Sequence, residues 1–210
     1  MAKSSTSARK SSIKTRARGS VKAIDKRDRA VADDVALDEQ STAGRLVGRF
    51  AELGDQPPMR ILSGATIAAA VIRRDRKLLR AGLRMLGAHS LATLAKAFVK
   101  DNVDRTRPSA ASKGRDYRLK PGKSDDRGLQ SMPSGHSAGV VAMAAAAISE
   151  YPAIATPAVA ASAALIGAQL PSRNHYLSDV AVGSAIGLVA FALMHRLLPP
   201  LRTNARDGVA

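Results

Sequence analysis

The chain has 210 residues, room for one domain with a real core, and a formal net charge of +16 from 33 Lys and Arg against 17 Asp and Glu. So basic a balance points to an anionic partner, but with 3% aromatic residues and no Trp there is little to stack on single-stranded bases. Cysteine is absent, which excludes disulfides and thiolate chemistry.

Residues 1–30 are rich in Lys, Arg, Ser, Thr and Ala and poor in large apolar side chains. Up to Val21 the tract carries Lys3, Arg9, Lys10, Lys14, Arg16 and Arg18 and no acid. It is expected to be a disordered, solvated basic tail; the alternative is attraction to anionic headgroups, at roughly 1 kcal/mol per basic residue near the surface. No apolar run follows it, so no signal peptide is read, and with no motif inside it the tail is expected to be dispensable for activity. Residues 31–53 place Val31, Val35, Leu37, Leu46, Val47 and Phe50 among Asp and Arg, the pattern of one or two amphipathic helices on a surface. Gln56-Pro57-Pro58 is expected to break that pattern.

Five apolar segments follow: Met59–Ile72, Leu78–Val99, Ser137–Ile148, Pro152–Leu170 and Val180–Leu198. Only the last two approach the roughly 20 residues that cross a bilayer. Gly183 and Gly187 form a small-xxx-small step suited to close helix contact. No segment alternates like a strand. The expected fold is all-α: a membrane-embedded bundle of about five core helices over residues 54–202, with a further tail at 203–210. The polar loop from Pro108 to Ser131 joins two motifs and is expected to form a rim over the site.

Three motifs sit where apolar helices begin or end. In the first, Lys100 precedes Arg107-Pro108. Pro108 disfavours helix at Arg107, so Lys100 should end a helix and Arg107 should lie on the chain leaving it. Both then converge on one anion, the guanidinium as a fork and the ammonium as a point charge. In the second, Pro133-Ser134-Gly135-His136 opens a helix. Pro133 suits the first helical position, the free amides near Gly135 point outward with the positive helix end, and the Ser134 hydroxyl adds a donor. His136 stands at the rim, where an imidazolium protonates a leaving alkoxide. In the third, Ser172-Arg173-Asn174-His175-Tyr176-Leu177-Ser178-Asp179 sets His175 and Asp179 one turn apart. A carboxylate accepting from one ring nitrogen leaves the other free to attack phosphorus, and Arg173 lies close enough to contact a phosphate oxygen. His89 and His195 belong to no such pattern and are read as structural or interfacial.

This ordered set resembles the type 2 phosphatidic acid phosphatase/vanadium-dependent haloperoxidase superfamily over about residues 59–199. The resemblance implies His175 as a nucleophile forming a phosphohistidine, Asp179 as its orienting carboxylate and His136 as general acid. It implies Lys100, Arg107, Ser134 and the Gly135 amide as phosphoryl ligands. The family arginine expected six residues before the histidine is replaced by Gln169, and the nearest arginine is Arg173. Either Arg173 reaches the phosphate along another loop path, or that contact is weakened, at a cost of about 3 kcal/mol.

The function so implied is a metal-independent phosphatase of a phosphomonoester or pyrophosphate, with a lipid phosphate or isoprenoid pyrophosphate as substrate. No cofactor or metal is expected, vanadate acts as a phosphate mimic or inhibitor, and no specific nucleic acid partner is implied. The alternatives are a vanadate-dependent haloperoxidase, whose family members are larger soluble chains, and a non-catalytic basic membrane-binding protein. The resemblance puts the three motifs on one membrane face. The Arg73–Arg80 and Arg196–Arg202 clusters then lie on the other face, the cytoplasmic one by the positive-inside rule. The expected location is an inner or plasma membrane of bacterial type with an extracytoplasmic site.

Overall fold

The computed structural model describes residues 19–199. The readings made for 1–18 and 200–210 lie outside the described residues. Helix α1 runs over 19–34. It is followed by α2 (Thr42–Glu52), α3 (Gln56–Arg73), α4 (Arg76–Lys100), β1 (Val103–Arg105), the short α5 (Pro108–Ala111), β2 (Leu119–Pro121), α6 (Gly135–Glu150), α7 (Ala155–Gly167) and α8 (Leu177–Leu197).

The second half of the segment read as a tail is therefore helical. Its acidic side chains, Asp25 and Asp28, find a buried arginine partner, Arg105, far along the chain. The proline pair differs from expectation too. Asp55 caps α3 by accepting from the Gln56 amide at 2.8 Å, and Pro57-Pro58 fall in the first turn, where a missing N–H costs no helical bond. Arg74, left-handed at φ 53°, ends α3, and Asp75 at once caps α4 by accepting from the Leu78 amide at 2.9 Å. α3 and α4 thus form a tight antiparallel hairpin.

The centre of the bundle is α4, α6 and α8 packed on one another, with α3 on α4 and α7 mainly on α6. The core is built from small residues and methionines, including Ala88, Ala92, Ala138, Ala142, Met85 and Met143. The glycine step on α8 works as its spacing suggests. A Cβ at Gly183 would lie 2.3 Å from the Ser134 carbonyl oxygen, and one at Gly187 would lie 2.5 Å from that of Ala138. Only glycine lets α8 approach α6 so closely.

The fold is all-α as expected, with one short ribbon added. β1 and β2 pair antiparallel, with Val103 opposite Pro121. α4 ends at Lys100 with Asp101 as its C-cap, and the Asp104 carboxylate accepts from the Ser124 amide at 3.1 Å, so the rim loop folds back on the bundle end. The fourth apolar segment is also shorter than expected: α7 has 13 residues, and the chain then turns through 168–174. Among the described helices, Leu177–Leu197 is long and apolar enough to cross a membrane. Outward faces of the bundle carry exposed apolar side chains, among them Ile61, Ile72, Leu94, Phe98, Val159 and Val189.

The bundle end remote from the three motifs is locked by Arg84. Its guanidinium donates to Glu150 at 2.6 Å, to Ser149 at 2.8 Å and to the Leu198 carbonyl at 2.8 Å, and meets His195 Nδ1 at 2.7 Å. His195 is thus structural. Both charges of the Arg84–Glu150 pair are buried. Glu150→Ala, which strands the cation, should cost about 3–5 kcal/mol of stability. Thermal unfolding in detergent would read this as a large drop in midpoint, with turnover of the folded fraction unchanged. An unchanged midpoint would contradict this reading of the remote end.

Candidate active site

Lys100 is the last residue of α4, and Arg107 is extended at ψ 150° before Pro108, as the local backbone rules require. Lys96 lies one turn before Lys100 on the same face. These cations differ from the structural arginines in having no acid to hold them. Among the described residues, Lys96 and Lys100 make no hydrogen bond or salt bridge. Arg107 reaches only the Gln130 carbonyl, at 3.4 Å, and its buried Nε has no partner. Burial lowers the Arg107 guanidinium from its ordinary range, with Asp179 opposing.

The second motif begins one step later than expected. Pro133 precedes the helix, and Ser134 is the N-cap of α6. The buried Ser134 hydroxyl accepts from the Ser137 amide at 3.3 Å and the Ser137 hydroxyl at 2.9 Å, and its own amide donates to the Asp179 carbonyl at 3.0 Å. The Gly135 and His136 amides are left at the positive end of α6. A Cβ at Gly135 would lie 2.7 Å from Lys96 Nζ, so the glycine leaves room for that ammonium.

His175 is buried, and its Nδ1 lies 2.7 Å from the Ser131 carbonyl oxygen. A carbonyl only accepts, so Nδ1 carries the proton and Nε2 keeps its lone pair. The expected direct bond to Asp179 is not made: that carboxylate lies 3.9 Å from Nδ1. Asp179 instead accepts from Arg105 at 2.6 Å, from the Ser131 hydroxyl at 2.6 Å and from the Tyr176 amide at 2.9 Å. It holds the ring indirectly, by fixing the residue whose carbonyl the ring grips. The His136 and His175 rings meet edge-on, with centroids 6.4 Å apart and planes inclined at 60°.

A cavity of about 580 Å³ opens beside these residues, lined by His136, Arg107, Asp55, Arg45, Arg49 and Arg127 among others. Arg173 does not line it. Its backbone turns left-handed at φ 52°, its carbonyl accepts from the Ser109 amide, and its side chain lines a neighbouring cavity with Ser112 and Lys113. Gln169 is fully buried and serves the scaffold. It donates to the Ala51 carbonyl at 3.2 Å and accepts from Asn174 at 3.2 Å, tying α2 to the loop before His175.

Sequence reasoning missed Lys96, Asp55, Ser131 and Arg105. The Lys96–Lys100 spacing was a usable signal, and Arg105 alternates with Arg107 in the first motif. Ser131 and Asp55 carried no signal of their own.

Burial keeps His175 well below the ordinary histidine value, and the fields of Arg107, Lys100 and His136 add to this. The folded protein therefore holds the ring neutral where the unfolded chain would protonate it. Below about pH 6.5 the unfolded state binds more protons, so this group's contribution to stability falls as pH falls. The acid limb that protonation of His175 sets on any activity needing the neutral ring should lie below about pH 6.5. An acid limb centred above pH 7 in a pH–rate profile would contradict that placement.

No curated protein matches the chain. Among solved structures, the fold is similar to that of the first transmembrane PAP2 type phosphatidylglycerolphosphate phosphatase from Bacillus subtilis. The TM-score is 0.57 over 87% of this chain and 90% of that one, at 17% identity, a likeness of fold. The model of the PAP2 superfamily matches residues 81–202, more than half of the sequence, and the chain belongs to that superfamily.

Proposed function

We propose that the protein is a membrane-embedded phosphatase of lipid phosphates that works through a phosphohistidine on His175. The observation that carries this reading is the contrast between two buried arginines and three half-buried cations. Arg84 and Arg105 are saturated by carboxylates, whereas Lys100 and Arg107, in the field of the neutral His175 ring, and Lys96, beside Gly135, have no acid within ion-pair distance. Uncompensated charges of one sign are costly to bury, and a phosphoryl group compensates them.

In this mechanism His175 Nε2 attacks phosphorus, and the bond to the leaving oxygen breaks as His136 gives that oxygen a proton. Lys100, Arg107 and the Gly135 amide take the charge on the equatorial oxygens, with Ser134 and Lys96 beside them. His136, now neutral, removes a proton from water, which attacks the phosphohistidine and releases phosphate. These cations do what Mg²⁺ does elsewhere, so EDTA should leave the activity intact.

Exposed apolar side chains on α3, α4, α7 and α8 support membrane embedding. The test is release of inorganic phosphate from phosphatidic acid and phosphatidylglycerolphosphate in mixed micelles, with EDTA present and vanadate as inhibitor. Phosphate release that resists EDTA and yields to vanadate supports the reading. Release from neither lipid overturns it.

A further inference from the structure

The N-terminal helix lies outside the three motifs, yet its acids reach the back of the site. Asp28 is buried on the inner side of α1, while Lys22, Lys26 and Arg27 on the same helix are exposed. One Asp28 oxygen accepts from Arg105 at 2.8 Å and also from the Ser178 hydroxyl, and the other accepts from the Ser178 amide at 3.2 Å. Asp25, one turn earlier, accepts from Arg105 at 3.2 Å and from the Tyr117 hydroxyl.

Arg105 is the hub. Its other amino group donates to Asp179 at 2.6 Å and to Ser178 at 2.7 Å, and its guanidinium lies over the Tyr176 ring at 4.3 Å. Its backbone carbonyl accepts from the Ser131 amide at 3.0 Å. Burial alone would lower this guanidinium, but Asp179 and Asp28 outweigh it and hold it above the ordinary arginine value. The path continues from Asp179 to the Ser131 hydroxyl, and from the Ser131 carbonyl to His175 Nδ1.

We propose that Asp28 of α1 is a positioning residue of the active site, acting through Arg105, Asp179 and Ser131 to hold His175 with its proton on Nδ1 and its lone pair on Nε2. The inference rests on His175 as nucleophile. Without Asp28, one face of the buried Arg105 loses its strongest acceptor, and the guanidinium is free to shift toward Asp179 or away from it. Either shift moves Ser131, which Arg105 holds directly by its backbone carbonyl and indirectly, through Asp179, by its side chain.

The test uses the full-length protein in detergent with Asp28→Asn, Asp28→Glu and, as control, Asp33→Asn on the exposed part of the same helix. Loss of one charge-assisted hydrogen bond in such a path corresponds to about a tenfold to hundredfold fall in kcat. Asp28→Asn should show that fall with little change in KM, Asp28→Glu should recover part of it, and Asp33→Asn should match the parent. Nitrogen-15 NMR of labelled histidine supplies a readout independent of turnover. The His175 Nδ1–H signal, identified by its loss in His175→Gln, should exchange faster with water in Asp28→Asn. Unchanged kcat per folded molecule together with an unchanged ring signal, even alongside a lower melting temperature, would reduce α1 to a structural brace and overturn the proposal. If the parent protein hydrolyses no lipid phosphate, the functional reading fails separately, and the ring signal alone decides for or against the path.

Discussion

His175→Ala should lower phosphate release by about four orders of magnitude or more, to the level left by binding and the cation cradle alone. The proposed mechanism gives the attack to the neutral His175 ring, which stands in the field of Lys100 and Arg107. The His136 ring lies with its centroid 6.4 Å from that of His175, and Asp179 is engaged by three donors. Alanine removes the nucleophile and leaves the cations, so vanadate or phosphate should still bind, held by Lys100 and Arg107. Steady-state kinetics with a binding assay on the same preparation checks both halves. A variant that keeps a tenth of the parent's turnover would reassign the nucleophile.

His136→Ala should be graded by the leaving group. With an alkoxide leaving group, the lost proton donor should cost about 10² to 10⁴ in rate. With p-nitrophenyl phosphate, whose leaving group departs without a proton, the first step should be largely restored. The second step still lacks its base, so the expected trace is a burst of nitrophenol followed by slow turnover. The burst is the informative part, because it separates the acid role of His136 from its role as base. Equal losses for both substrates and no burst would point to a binding role instead. His175→Ala should give no burst with either substrate.

How much of this was legible in the sequence follows from how far apart the interacting groups lie. Features set by neighbours in the chain were readable. Pro108 placed Arg107 off the helix, and the Gly183–Gly187 spacing announced the close α6–α8 contact. Features set by distant partners were not. Asp28 sits in a basic stretch, and nothing near it in sequence indicates that it meets Arg105, which is 77 residues away. The His175–Asp179 spacing suggested a direct bond, but an acceptor 44 residues away, the Ser131 carbonyl, takes the ring nitrogen instead. Arg173 lies two positions before His175 in sequence, yet a left-handed turn at that residue seats its side chain in another cavity. Gln169 is explained by α2, whose Ala51 carbonyl it holds, and α2 is the element whose docking composition says least about.

The central claim is that His175 attacks through Nε2 because Nδ1 is committed to the Ser131 carbonyl. Rapid quench of the protein with ³²P-labelled lipid phosphate at alkaline pH, followed by proteolysis and separation of phosphohistidine isomers, tests this directly. The account predicts acid-labile phosphate on the peptide containing His175, as the Nε2 isomer, and none in His175→Ala. Phosphate on Nδ1, or equal labelling of the variant, would contradict it.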